Sequence, residues 1–213
     1  LDKYFSEAKF AKHTKKQLQK KKPKTVLKES NIIKKLDKEQ THILRGFPTC
    51  DFSSNERWGL LGLSAILSGQ GGRLFMELRD KMSLCYSVAA THLEALDGGH
   101  FGIYIGTTPE KKEKAIEAID KEIAKVIREG VPDSEWEHAQ KFFAGNHVID
   151  QQRLSTQSMS MALEEVYGFG WKAYFDFSDK LQKVKASDIQ KAAKKYLSNS
   201  KKRVTTIVEP KGS

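Results

Sequence analysis

Residues 41–47, Thr-His-Ile-Leu-Arg-Gly-Phe, read as a strand with alternating faces that Pro48 closes. Ser53 or Ser54 then caps a helix in which Trp58, Leu61, Leu63, Ala65, Ile66 and Leu67 form so broad an apolar surface that burial on most sides is expected. This helix delivers the chain into Ser68-Gly69-Gln70-Gly71-Gly72, where glycines permit a sharp turn. Leu74, Phe75 and Leu78 recur at helical spacing and predict a helix of about two to three turns. From Cys85 the period changes to that of a strand. Residues 85–94 and 100–106 read as a hairpin turning at Asp97-Gly98-Gly99.

Thr108 caps a long helix with Pro109 at its first position, a core stripe of Ile116, Ile119, Ile123, Val126 and Ile127, and a stop at Gly130. Beyond Pro132 the pattern is helical over 134–151, 155–167, 171–184 and 187–197, the last opening with a capping box from Ser187 to Gln190. Residues 26–36 read as a strand or edge segment, and 204–208 as a closing strand that must return to the sheet. Hairpin-linked strands with helices segregated after them predict an α+β fold, a mainly antiparallel sheet with helices packed on one face.

Charge changes the picture only at the N-terminal end. The formal net charge is +10, but residues 1–40 hold thirteen lysines against five acids, so the remainder is nearly balanced. The run from Lys15 to Lys22 lacks the interleaved aromatics of a nucleic-acid module and reads as a solvated linker, with no nucleic-acid partner. No apolar run is long enough to span a membrane. Two cysteines, Cys50 and Cys85, are too few for a disulfide framework or a thiolate zinc site, and each reads as a small buried hydrophobe.

Candidate chemistry is sparse. The six histidines form neither an H-x-x-E-H nor an H-E-x-x-H pattern, which argues against a self-contained zinc hydrolase. His92 and His100 read as strand-surface residues, and Glu164 and Glu165 as a solvated helix face. The glycine turn lacks the Lys-Ser/Thr of a phosphate loop, and no G-x-S-x-G elbow is present. What remains is Arg79 near the end of the short helix and Tyr86 at the start of the next strand, both able to face one cleft. A guanidinium and a phenol there can hold a carbonyl oxygen and stabilise developing negative charge. Equally, Arg79 can offset the negative end of its helix and Tyr86 can be a half-buried strand residue.

The stretch from Leu67 to Val88, LSGQGGRLFMELRDKMSLCYSV, resembles the C-terminal half-domain of pitrilysin/insulinase-type zinc metallopeptidases, a group that includes the mitochondrial processing peptidase. The likeness extends to residues 41–47, to 101–108 with the long helix after it, and to Gln151-Gln152-Arg153 through Glu164-Glu165 and Tyr167-Gly168, so that it covers about 26–208. The resemblance implies a half-domain that carries no metal itself, inactive alone, whose partner N-terminal domain holds Zn2+ through an inverted motif. It also implies that Arg79 and Tyr86, seven residues apart, bind the substrate carbonyl and support the transition state, with Gly69, Gly71 and Gly72 at the substrate. The implied partners are the zinc-binding half, in the same chain or as a separate subunit, and extended peptides enclosed between the halves. Residues 1–25 are then the end of a preceding domain plus a Lys-rich linker, and 26–213 the inactive, substrate-binding domain. The alternative is a half-domain that only closes the peptidase chamber.

Overall fold

A computed structural model describes residues 29–69, 71–199 and 202–212. The segment 1–25, expected as a domain end and linker, lies outside them. The elements run β1 (Ser30–Leu36), β2 (Thr41–Thr49), α1 (Arg57–Leu67), a π-helical segment (Phe75–Lys81), β3 (Cys85–Leu93), β4 (Gly99–Thr107), a 3₁₀ turn (Pro109–Lys111), α2 (Lys112–Glu129), α3 (Asp133–Asp150), α4 (Leu154–Val166), a 3₁₀ segment (Trp171–Asp176), α5 (Phe177–Gln182), α6 (Ala186–Tyr196) and β5 (Val204–Pro210). The fold is the expected α+β, with a five-stranded sheet in the order β1-β5-β2-β4-β3. All neighbours are antiparallel except β1 and β5, which pair in parallel.

Register decides the two faces. Ile43 stands opposite Ile105 and Phe47 opposite Phe101, and these side chains are buried under the helical layer with Ile103 and Ile207. On that face α1 packs against β3, α2 against β4 and α6 against β2. Leu60, Leu63, Ile119 and Ile123 supply the helical side of the core. On the other face Leu44 is 47 % and Ile32 52 % exposed, and Gly46 stands opposite Gly102, so the middle of that surface is shallow.

Alternation along β2 also sends Arg45 inward, where it is 1 % exposed. Its Nη1 lies 2.7 Å from the Asp120 carboxylate and donates to the Ile116 carbonyl at 3.2 Å. Burial pulls the Arg45 pKa down and Asp120 opposes that pull.

Several boundaries differ from the sequence pattern for local reasons. Pro48 lies inside β2, because β5 ends opposite Gly46 and beyond it β2 has a free side where a missing N–H breaks no ladder bond. Ser54 accepts a hydrogen bond from the Glu56 N–H at 3.2 Å, in the turn before α1 rather than at its cap. Thr108 makes no side-chain cap, and its carbonyl instead receives the Lys111 N–H to close the 3₁₀ turn. Residues 171–184 split into a 3₁₀ segment and α5. At α6 the reciprocal cap runs from the Lys185 N–H to Asp188, at 3.1 Å, rather than from Ser187 to Gln190. Gln190 instead donates to the Ile127 carbonyl and ties α6 to α2.

His92, expected at the surface, has a fully buried side chain because it stands opposite Phe101 on the helix-covered face. Its Nε2 is 3.2 Å from Thr49 Oγ1, and Nδ1 has no hydrogen-bond partner among the described residues. Burial, followed by the charges of His100 and Arg57, pushes its pKa down to about 4. The unfolded chain therefore takes up this proton near pH 6.5 and the native state only near 4. The contribution is fully present above pH 6.5 and is lost as the pH falls towards 4. Between pH 6.5 and 5 this removes about 2 kcal/mol of stability. Glu94, 3.6 Å away, is raised by burial and acts in the opposite sense. Urea unfolding across this range should show the loss in the wild type and not in His92→Gln; equal slopes would reject the assignment.

Candidate functional site

The site begins where α1 ends. Gly69 has φ +83°, in the left-handed region, and a Cβ on Gly72 would stand 2.1 Å from the Ser68 carbonyl oxygen, so both positions require glycine. Gly71 has nothing within 4 Å of where its Cβ would be. Ser68 fixes the turn to the sheet: its hydroxyl donates to the Ala90 carbonyl and accepts from the Ala90 N–H, each at 2.6 Å. Arg73 fixes the other end through two bonds to the Glu135 carboxylate, at 2.7 and 2.6 Å, and one to the Gly130 carbonyl at 3.3 Å.

The short helix is π-helical over Phe75–Lys81 rather than an ordinary α-helix. The spacing of Leu74, Phe75 and Leu78 does not distinguish the two, since both bring positions i and i+4 to one side. The tertiary frame favours the wider turn. Leu74 and Leu78 are both fully buried, the Met82 N–H reaches the Glu77 carbonyl at 3.0 Å, and the Leu84 N–H reaches Leu78 at 2.8 Å. Segments of this kind recur at functional sites.

β3 then opens with a bulge. Cys85 pairs with Thr107 but Ser87 with Gly106, which leaves Tyr86 as the extra residue. Tyr86 is 78 % exposed. The Arg79 guanidinium carbon lies 4.5 Å from the Phe75 ring centroid and 5.2 Å from that of Tyr86. Among the described residues Arg79 enters no ion pair or hydrogen bond. The structure thus brings Arg79 and Tyr86 together, with Phe75 beside them.

A cavity of about 440 Å³ adjoins the glycine turn, lined among others by Ser68, Gly71, Gly72, Glu135, His138 and Phe142. Sequence reasoning missed the anchoring roles of Ser68 and Arg73. Their partners are 22 and 62 residues away, and no short-range pattern signals such pairs. Phe75 was open to detection, as an aromatic four residues before an arginine on one helix face.

The other flagged residues have structural surroundings. Cys50 and Cys85 are unpaired, and burial raises both thiols. His147 stacks on Phe177 with ring centroids 3.9 Å apart. Glu165 accepts the Trp171 N–H at 2.8 Å, and one Glu164 oxygen is buried without a hydrogen-bond partner among the described residues, so this acidic pair is not simply a solvated face. Among the described residues no three His, Cys, Asp or Glu side chains converge in a way that could hold a metal ion. Zinc chemistry therefore does not fit these residues.

Residues 1–143 match the family model described as the peptidase M16 inactive domain. Among curated relatives, a zinc protease of Rickettsia bellii, itself uncharacterized, is 28 % identical over 166 residues, covering 77 % of this chain and 40 % of that protein. Another from Streptomyces coelicolor is 31 % identical over 112 residues, covering 52 % of this chain and 24 % of that protein. The chain thus spans less than half the length of these relatives. Among solved structures, a peptidase M16 inactive domain from Pseudomonas fluorescens superposes with TM-score 0.74 at 22 % identity, covering 86 % of this chain and 44 % of that one. The inactive peptidase domain of a zinc protease from Bordetella parapertussis gives TM-score 0.71 at 19 % identity, with 83 % and 94 % covered.

Proposed function

Because the chain belongs to the peptidase M16 family as its inactive domain, we propose that it serves a zinc metalloendopeptidase as the half that binds substrate, while the metal is held by another domain or subunit. Arg79 and Tyr86 are the working pair. The observation that carries this reading is the state of Arg79: its guanidinium is held between the Phe75 and Tyr86 rings with no protein acceptor among the described residues, beside an exposed phenol. A structural arginine normally spends its donors on carboxylates or carbonyls, as Arg73 and Arg45 do here. Arg79 keeps them for an acceptor that arrives from outside, and a peptide carbonyl or the oxyanion formed from it has the matching chemistry.

The aromatic contacts fix the fork without neutralising it. Cation–π attraction to the two rings holds the guanidinium without using up its hydrogen-bond donors. Tyr86 adds a neutral donor from the neighbouring strand. Gly71, with open space around it, leaves room for an extended peptide to approach the backbone, and the turns at Gly69 and Gly72 set that approach.

The test compares this chain with the full-length protein. Peptide hydrolysis should be confined to the form that includes the zinc-bearing half, and metal analysis of this chain alone should find no stoichiometric zinc. Chelator-sensitive cleavage by this chain alone, with zinc bound, would overturn the division of labour.

A further inference from the structure

Helix α4, Leu154–Val166, is turned inside out. It has no buried residue. At 100° per residue its apolar positions Met159, Leu163 and Val166 fall on one stripe, and this stripe faces solvent, with exposures of 62 %, 42 % and 73 %. The side towards the body of the protein is mostly polar instead. Thr156, Gln157, Ser160, Glu164 and a single apolar residue, Met161, are the half-buried positions, Gln157 donates to the Gln151 carbonyl at 2.7 Å, and one Glu164 oxygen is enclosed. A surface helix ordinarily presents these faces the other way round, because apolar area left in water is unfavourable. The 3₁₀ segment Trp171–Asp176, on which α4 packs, adds Trp171 and Phe175, themselves 48 % and 62 % exposed. Apolar exposure gathered on two elements that pack together marks an interaction surface.

We propose that the outward stripe of α4 is the surface on which the zinc-bearing part of the protease docks. The occupant follows from what this chain lacks relative to its kin. It spans 40 % of the Rickettsia zinc protease, and its described residues have no group able to hold a metal, so the zinc-bearing remainder is the larger share of such a protein. A helix that turns a mostly polar side inward and a Met-Leu-Val stripe outward suits packing against another folded domain. Met159 gives that contact the adaptability of an unbranched thioether. This inference rests on the reading of the chain as the inactive half.

The experiment uses the full-length protein, or the complex with the zinc-bearing subunit where that half is a separate chain. A photo-cross-linking amino acid is placed at Met159 and, separately, at Val166, and the adducts are mapped by mass spectrometry. Adducts on the zinc-bearing half are expected. In parallel, the double change Met159→Lys with Val166→Lys should lower peptide hydrolysis at least tenfold while the far-UV circular dichroism of the protein stays unchanged, since neither side chain supports this domain's own core. Adducts confined to residues 1–28, to a second copy of this chain, or absent altogether would overturn the proposal, as would full activity in the double variant. Missing adducts together with activity lost in Arg79→Ala would reject the interface and keep the functional reading. Adducts on the zinc-bearing half with an unaffected Arg79→Ala would do the reverse.

Discussion

Arg79→Ala in the full-length protein is expected to lower kcat/KM for peptide hydrolysis about a hundredfold or more, the usual cost of losing one donor aimed at a developing oxyanion. Much of the loss should appear in kcat, because a contact that strengthens as charge builds on the carbonyl oxygen acts on the transition state more than on the bound peptide. Tyr86→Phe is the sharper probe. It keeps the ring 5.2 Å from the guanidinium and removes only the hydroxyl, so it separates support of Arg79 from donation to substrate. A tenfold or larger loss in Tyr86→Phe assigns the hydroxyl to the substrate. Arg79→Lys should recover part of the activity lost in the alanine variant, since an ammonium restores charge but not the planar fork. Turnover unchanged in Arg79→Ala and Tyr86→Phe, with the halves still assembled, would leave a domain that only closes the chamber. The chain's stability gives a control: Tyr86 is largely solvent-exposed, so its loss should leave the unfolding midpoint nearly unchanged.

The largest effect on stability is expected at the buried guanidinium under β2, and it should be lopsided. Asp120→Ala leaves Arg45 charged and 1 % exposed, with the Ile116 carbonyl as its remaining hydrogen-bond acceptor among the described residues, the positive Arg203 nearby and the Glu29 carboxylate in weak compensation. Stranding a buried charge in this way costs about 3–5 kcal/mol, with the retained carbonyl bond pointing to the lower end. Arg45→Met removes the charge together with its desolvation cost and keeps much of the volume. The Asp120 left behind is 43 % exposed and keeps Arg203 as a partner, with Nη1 3.5 Å away. That change should cost about 1 kcal/mol or less. Equilibrium urea denaturation of both variants measures the difference. Equal losses would mean that the ion pair itself, rather than the desolvated arginine, governs the energetics.

Much of the fold was readable from local patterns because the forces behind it are local. The stripe from Ile119 to Val126 is a single-face helical signal, and α2 buries those residues, while Ile116 and Ile127 at its margins are half-buried. The β3–β4 hairpin follows from two strand-period runs about a glycine turn, and its connection, residues 94–98, is shifted by one from the expected 95–99. Parity along β2 shows that Arg45 shares a side with Ile43 and Phe47. It does not show which acid, seventy-five positions on, comes to meet it.

Local pattern therefore sufficed for the type and order of the elements, the placing of helices on one face, and the nearness of Arg79 to Tyr86 across a helix-to-strand junction. Each depends on interactions within a few residues or on a period that repeats along the chain. Long-range packing was needed to bring β5 between β1 and β2, turn His92 inward, set Tyr86 on a bulge and widen Phe75–Lys81 into a π-helix. The same holds for the outward direction of Met159, Leu163 and Val166. A helical stripe records which side of a helix avoids water, but the partner that covers it is chosen by packing between elements distant in sequence, and for α4 no described residue of this chain fills that role.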